Sequence, residues 1–477
     1  MGRPTMTEAA APWYRRIRMP HTLVLVWLLV AIVLAASWVV PAGEFDRTDV
    51  AGRQVPLPGT YHRVEKVTLG PGMLLVSPIK GFTEGAFLIA FLLVIGGSFN
   101  VLQESGAVEF GIARLTRVLA RRPSLEVLVV PALMVAFSLA GSVFGMAESM
   151  IPFVVVFVPL ARRLGYDSIV GTSIPFLGAA AGFAAAFLNP FTVGIAQQLA
   201  GLPANSGFGY RVFTWIVGTA VIVAYVMRHA RKVKRDPESS PVRDIDLLRE
   251  TTDHGVLAEG RWDARHVVTL VLFGLAMAGL VGGILALKWD IGALAAYFLG
   301  MGIALGLSAG LGPSRIATAF VAGAKNMVGV AFIVACARAL LVIGRDAKIL
   351  DTALQASFLF VSALPKGIAA HLMFAVQCVI NFFIHSGTAQ AALTMPILAP
   401  LSDLVGVTRQ TCVYAFQLCE FINPILPTSA VTMGVLGAAG IPWERWARWF
   451  LPLMWILVGL SVLLLIPPVF LFRYGPF

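Results

Sequence analysis

Residues 22–41 make twenty consecutive positions without a charged side chain, and largely apolar runs of similar length return at 82–104, 209–229, 264–287, 290–310, 326–345 and 449–472. At about 1.5 Å per helical residue, each can cross a hydrocarbon core of about 30 Å. A bilayer-spanning segment must satisfy its own backbone polar groups, so these runs are helices. The composition agrees. The 477 residues are 58% hydrophobic and 13% charged, about half the charge of a soluble domain, which excludes soluble, disordered and collagenous classes. The sequence predicts an all-α polytopic membrane protein.

The run 22–41 is longer than the roughly 7–15 apolar residues of a cleaved signal peptide, so it reads as a retained helix behind a cytoplasmic N-terminal tail, 1–21. Cys336, Cys378, Cys412 and Cys419 all sit in apolar stretches and form no C-x-x-C. Neither a disulfide framework nor a zinc site is indicated.

Two regions, 126–201 and 367–437, do not divide into simple spans, because polar and Gly/Pro clusters interrupt them. Aligned, they share three landmarks in one order. Pro159-Leu-Ala-Arg-Arg-Leu-Gly165 matches Pro400-Leu-Ser-Asp-Leu-Val-Gly406, Asn189-Pro190 matches Asn423-Pro424, and Ala200-Gly-Leu-Pro203 matches Ala439-Gly-Ile-Pro442, at offsets of 241, 234 and 239 residues. Interrupted segments at matching places in two halves point to a secondary transporter with its binding site near the bilayer midplane. Chance agreement is the alternative reading.

The expected architecture is about nine transmembrane helices plus two re-entrant hairpins in an inverted repeat, with two broken helices. Its parts are a first transmembrane repeat, 22–229, with hairpin 126–163; a cytoplasmic linker, 230–263, read as a hydrophilic loop; a connecting helix, 264–287; and a second inverted repeat, 290–477, with hairpin 367–403. With the N-terminus inside, most Lys and Arg fall on cytoplasmic segments, so the net charge of +11 is topological. No nucleic-acid partner is needed to explain it.

A carboxylate at membrane depth is expensive unless paired, protonated or facing a wet cavity. Glu148, at the first hairpin tip beside Ser149, therefore reads as functional, with capping of the next helix as the alternative. The second tip offers Ser386, Gly387, Thr388 and Gln390, whose hydroxyl, amide and backbone groups suit an anion or a sodium ion. His385 is a proton-coupling candidate or a hydrogen-bonded structural residue. Proline removes a donor and clashes one turn back, so Asn189-Pro190 and Asn423-Pro424 should open their helices and free carbonyls, with Thr192, Thr428 and Ser429 close by. Sodium at Asn189 and Asn423 is the one bound ion this suggests; no other metal and no cofactor is expected. Gln417, Glu420 and Asn423 share one helix face, which should point at the cavity. Glu104, Glu109, Lys325 and Arg345 read as interfacial charges; Glu84 and Arg338 have no clear assignment.

The runs Gly145-Met-Ala-Glu-Ser-Met-Ile-Pro-Phe153, Asn189-Pro-Phe-Thr-Val-Gly-Ile-Ala-Gln197, His385-Ser-Gly-Thr-Ala-Gln-Ala-Ala-Leu-Thr-Met-Pro-Ile397 and Pro427-Thr-Ser429 resemble the YfcC-type branch of the C4-dicarboxylate anaerobic carrier family, within the ion-transporter superfamily. The resemblance implies a bacterial inner-membrane secondary carrier with two opposed hairpins, a dimeric scaffold and an elevator-like moving domain. By position it places Glu148, Ser149, Ser386, Gly387, Thr388 and Gln390, with Asn189, Asn423, Thr428 and Ser429, around substrate and sodium.

A dicarboxylate needs compensating positive charge, whereas Glu148 and Glu420 have no Lys or Arg beside them in sequence. The expected substrate is therefore an amino acid or another amine-bearing organic acid, with a C4-dicarboxylate as the alternative. A channel, or an intramembrane enzyme using Glu148 with His385, is the reading from another class. Metalloprotease, hydrolase-elbow, P-loop and dinucleotide motifs are missing from the sequence, so an enzyme is not expected.

Overall fold

The computed structural model describes residues 22–50, 53–107, 110–111, 123–145, 150–203, 205–253, 264–287, 289, 291–362 and 365–475. Helix α1, Thr22–Val39, leads into two short antiparallel strand pairs: β1 (Gly43–Glu44) with β4 (His62–Arg63), and β2 (Arg47–Val50) with β3 (Arg53–Pro56). Then come α2 (Met73–Glu84), α3 (Ala86–Glu104), α4 (Pro123–Phe144), α5 (Ile151–Arg163), α6 (Ser168–Ala184), a π turn at Pro190–Gly194, α7 (Ile195–Leu199) and α8 (Phe208–Arg235). A linker helix, α9 (Arg243–Asp253), and α10 (Ala264–Ala286) precede a second series. This is α11 (Ile291–Ser308), α12 (Pro313–Asn326), α13 (Val328–Asp346), α14 (Leu350–Ser362), α15 (Lys366–Phe383), α16 (Gly387–Leu404), α17 (Arg409–Leu418), a 3-10 turn at Cys419–Ile425, α18 (Ala430–Ala439) and α19 (Trp443–Ile466).

The chain is an all-α polytopic membrane protein. Among the described residues, six helical stretches are long and apolar enough to cross a membrane: Ala86–Glu104, Phe208–Arg235, Val328–Asp346, Lys366–Phe383, Arg409–Ala439 and Trp443–Leu471. Shorter apolar helices include Leu23–Val39, Val127–Val143, Ser168–Ala184, Ala264–Leu280 and Gly292–Ser308.

Helix contacts recur in reciprocal pairs. Helix α1 packs on α13 as α11 packs on α3; α2 packs on α13 as α12 packs on α3; α5 meets α18 as α16 meets α7. Lipid offers no hydrophobic drive between helices, so close approach depends on small residues. A side chain at Gly96 would strike the Gly323 carbonyl at 2.8 Å, which lets α3 and α12 touch, and one at Gly178 would meet the Met134 carbonyl at 2.8 Å where α6 lies on α4.

The landmarks are helix ends. Gly165, Gly201, Gly406 and Gly440 have φ of +80°, +69°, +73° and +59°, the left-handed conformation that spares glycine a Cβ clash. Each is followed by the same six-residue hydrogen bond: Tyr166 N to Ala161 O, Leu202 N to Gln197 O, Val407 N to Ser402 O and Ile441 N to Leu436 O, all 2.8–3.0 Å. Two residues after Gly165 and two after its match Gly406, Asp167 caps α6 and Thr408 caps α17. The turns join crosswise. Arg409, just after the Gly406 turn, donates to the Ala200 carbonyl at 2.9 Å, and α9 joins the Gly165 turn to the Gly440 turn.

The linker departs from the expected hydrophilic loop. Helix α8 runs on to Arg235, and α9 is an amphipathic helix laid against the protein. The physical reason is a set of anchors, buried at Asp246 and exposed at Asp244. The Asp246 carboxylate accepts from Ser168 N at 3.0 Å and from the Ser168 hydroxyl, while Arg162 donates to the Asp246 carbonyl at 2.9 Å. Arg249 bonds Ser168 Oγ at 3.1 Å and the Ala439 carbonyl at 2.6 Å. Asp244 takes a bidentate pair from Arg445 at 2.6 and 2.8 Å. Burial pushes the Asp246 carboxyl up, with its Ser168 hydrogen bonds and Arg162 opposing, whereas the Arg445 hydrogen bonds hold Asp244 down.

The interfacial charges pair across elements: Glu84 with Arg345, and Glu104 with Arg315 at 3.3 Å. Glu109 lies outside the described residues.

Candidate substrate site at the helix breaks

Pro190 pushes the preceding residue out of the helical region. Asn189 accordingly sits at φ −54°, ψ 112°, and its side-chain oxygen accepts from Phe191 N at 2.9 Å. Helix α6 has already ended at Ala184, and the wider π turn from Pro190 leads into α7. In the second half α17 stops at Leu418, the 3-10 turn holds Glu420, Asn423 and Pro424, and α18 restarts at Ala430 under a Ser429 cap. Carbonyls freed by this break find side-chain donors. Trp446 Nε1 reaches Pro424 O at 2.8 Å, Trp443 Nε1 reaches Ile425 O at 2.9 Å, and Thr432 Oγ1 reaches Asn423 O at 3.0 Å.

The second hairpin tip closes on both breaks. Thr388 Oγ1 donates to Phe191 O and Thr428 Oγ1 to Phe382 O, each at 2.7 Å. Gln417 Nε2 donates to Phe183 O, joining the second broken helix to the end of α6. Ser386 caps α16, accepting from Ala389 N at 3.4 Å. A Cβ on Gly387 would stand 2.6 Å from Thr192 Cγ2 and 3.0 Å from Glu420 Oε1, so this glycine is the space between the tip and both breaks.

Several buried polar atoms here lack a partner among the described residues. Asn189, Thr192, Gln417 and Glu420 are each at most 2% exposed. Buried atoms without a hydrogen-bond partner include Asn189 Nδ2, Thr192 Oγ1, Asn381 Oδ1, Gln417 Oε1, Glu420 Oε1 and Asn423 Oδ1. Glu420 Oε2 accepts from Asn423 Nδ2 at 2.9 Å, leaving its other oxygen open. An unsatisfied buried polar atom costs about 1–3 kcal/mol, and a set of them that is mostly oxygens, one of them from a carboxylate, has the chemistry to suit a cation or an ammonium group.

Sequence reasoning missed the layer behind. Gln390 Nε2 donates to Gln377 O at 2.9 Å and Oε1 at 2.7 Å, Asn381 Nδ2 donates to Gln390 Oε1 at 3.1 Å, and Gln377 Nε2 donates to Thr394 Oγ1 at 2.9 Å. The signal was present: Gln377 and Asn381, like Gln390 and Thr394, are polar residues four apart in apolar helices. Gln390 thus braces the tip. At the tip itself the His385 ring has Nδ1 buried without a partner, and Arg338 of α13 is near enough for its charge to bear on it. Glu148 and Ser149 lie outside the described residues; next to them Gly145, at φ +66°, abuts the Asn189 side chain.

The family model of the C4-dicarboxylate anaerobic carrier matches residues 19–469. A protein of Escherichia coli (strain K12) named "Putative basic amino acid antiporter YfcC" is 36% identical, covering 91% of this chain and 93% of that protein. An uncharacterized protein of Haemophilus influenzae is 29% identical over 89% of this chain and 83% of its own length. Among solved structures, the Alcanivorax borkumensis YdaH transporter aligns over 96% of this chain and all of its own at 17% identity, with a TM-score of 0.40. The chain belongs to the C4-dicarboxylate anaerobic carrier family and is a multi-pass secondary transporter.

Proposed function

We propose that this carrier moves an amino acid or another amine-bearing carboxylate, coupled to an ion, by elevator-like alternating access. The open Glu420 Oε1 carries the reading: Gly387 alone separates it from Thr192 of the first break, and Thr192, Gln417 and Asn423 each keep an unpaired oxygen as well. No basic side chain hydrogen-bonds this carboxylate among the described residues, so a substrate ammonium group is its natural partner. The substrate carboxylate then faces the second tip, where the charge of Arg338 bears on His385. The name of the Escherichia coli relative supports the same substrate class.

The hypothesised cycle follows from charge. An empty site holds an uncompensated carboxylate, which is costly to carry through the bilayer, and a loaded site is neutral. Sodium at Asn189 and Asn423, or a proton on His385, would supply the coupling. The crossed meeting of the matched turns supports an inverted repeat, in which the two tips approach from opposite faces and the hairpin group slides past α3 and α13. A homodimer held by the scaffold helices, with the N-terminus in the cytoplasm of a bacterial inner membrane, completes the proposal.

Uptake into proteoliposomes decides between substrates. Basic and neutral amino acids should show saturable uptake and trans-stimulated counterflow, abolished in Glu420→Gln. Succinate counterflow that survives Glu420→Gln would sink ammonium pairing and restore the dicarboxylate reading.

A further inference from the structure

The seam between α4 and α8 is pinned at one end and open at the other. Ser138 and Thr219 share a hydroxyl hydrogen bond of 2.7 Å, and Trp215 Nε1 donates to Ser138 Oγ at 2.9 Å. From that pin toward the linker the helices leave a groove of about 830 Å³. Its α8 wall is a single helical stripe. Ala220, Val223, Ala224 and Met227 come first, then Arg228, Arg231, Lys232 and Arg235; steps of three and four keep all eight on one face. The first half is apolar and, at Ala220 and Ala224, too small to fill the space. The second half is cationic.

Across the groove stand Val127, Leu128 and Pro131 of α4, with Val127 and Leu128 47% and 59% exposed. Asp236 is the single acidic residue of the lining, against four exposed cations that form no ion pair or hydrogen bond among the described residues. The fifteen helical steps from Ala220 to Arg235 rise about 22 Å, so about half the groove is apolar wall and half basic mouth. Free phosphate has no use for the apolar half, and an acidic peptide would have to enter hydrocarbon to reach it. We propose that this groove binds an anionic phospholipid, its acyl chain between Val127–Pro131 and Ala220–Met227 and its phosphate on Arg228, Arg231, Lys232 and Arg235. The proposal shares the membrane orientation given above but not its substrate. A lipid seated there ties an arm of the first hairpin to α8.

The test uses the full-length protein, purified in detergent, with bound phosphatidylglycerol and phosphatidylcholine measured by native mass spectrometry. Phosphatidylglycerol should be retained about tenfold over phosphatidylcholine, and excess inorganic phosphate should not displace it. Each neutralised charge should lower its retention about fivefold, so the Arg231→Gln/Lys232→Gln double variant loses about 25-fold. Because these charges also set topology, Ala224→Trp provides a second arm: it fills the apolar half, keeps every charge and should lower retention as well. Equal retention of both lipids by the wild type, displacement by phosphate alone, or unchanged retention in Ala224→Trp would each overturn the proposal.

Discussion

Glu420 shows how one residue can stay buried and partly unsatisfied. It is 2% exposed; Asn423 hydrogen-bonds one carboxylate oxygen, and the other has no hydrogen-bond partner among the described residues. Replacing it by glutamine keeps shape and removes charge, so Glu420→Gln should weaken amino-acid binding more than about a hundredfold, roughly 3 kcal/mol, while the apo protein melts no lower than the parent. Binding by calorimetry and melting by intrinsic fluorescence separate the two effects; a parallel loss of both would mean that Glu420 is structural. Gly387 gives a steric companion to this test. In Gly387→Ala the new methyl would press on Thr192 Cγ2 and Glu420 Oε1, so affinity should fall at least tenfold for a stability change of about 1–3 kcal/mol. Much of this site was legible from the spacing of Gln417, Glu420 and Asn423. The influence of the Arg338 charge on His385 was not, because those residues are 47 positions apart and only the tertiary fold brings that charge within range of the tip.

Among the elements, α9 is the one whose role the linear chain hid. Its polar composition reads as a loop, yet Asp246 is 4% exposed, held by Ser168 and Arg162. Deleting those acceptors in Asp246→Ala should cost about 1–3 kcal/mol of docking and speed amide exchange throughout α9. Asp246→Asn keeps acceptor capacity without the desolvated charge and should dock nearly as well. The pH dependence has a definite sign. A carboxyl raised in the folded state binds more protons there than when unfolded, so stability at Asp246 falls as pH rises from the usual carboxylate value through the raised one. Asp244, lowered by Arg445, behaves oppositely: its contribution is complete above the unfolded value and is lost as pH falls through the folded one. The two oppose each other in the parent, so Asp246→Asn isolates Asp244: in that variant the protection of α9 should fall at the acid end between pH 7 and pH 3, and adding Arg445→Gln should remove that fall.

At the scale of the whole molecule, the elevator proposal requires α18 to slide along α13. Gly437 and Val330 face each other there, with a Cβ on Gly437 lying 3.4 Å from Val330 Cβ, close to disulfide distance. In a background with the four native cysteines replaced, oxidised Gly437→Cys/Val330→Cys should bind substrate but not transport it, and reductant should restore uptake. Full uptake in the oxidised state would reject sliding at this contact. Composition and run length alone determined a helical membrane protein, because apolar excess leaves no other solvent and hydrocarbon permits little other backbone. Repeated Pro, Gly and Asn landmarks also marked the helix ends and breaks, since proline sterics and left-handed glycine act within a few residues. Which turns meet, how Gln377 and Asn381 brace the tip, and why the linker is a docked helix were decided by tertiary structure. Those outcomes depend on close approach between small residues and on pairing of buried polar groups far apart in the chain, and neither leaves a periodic trace in one sequence.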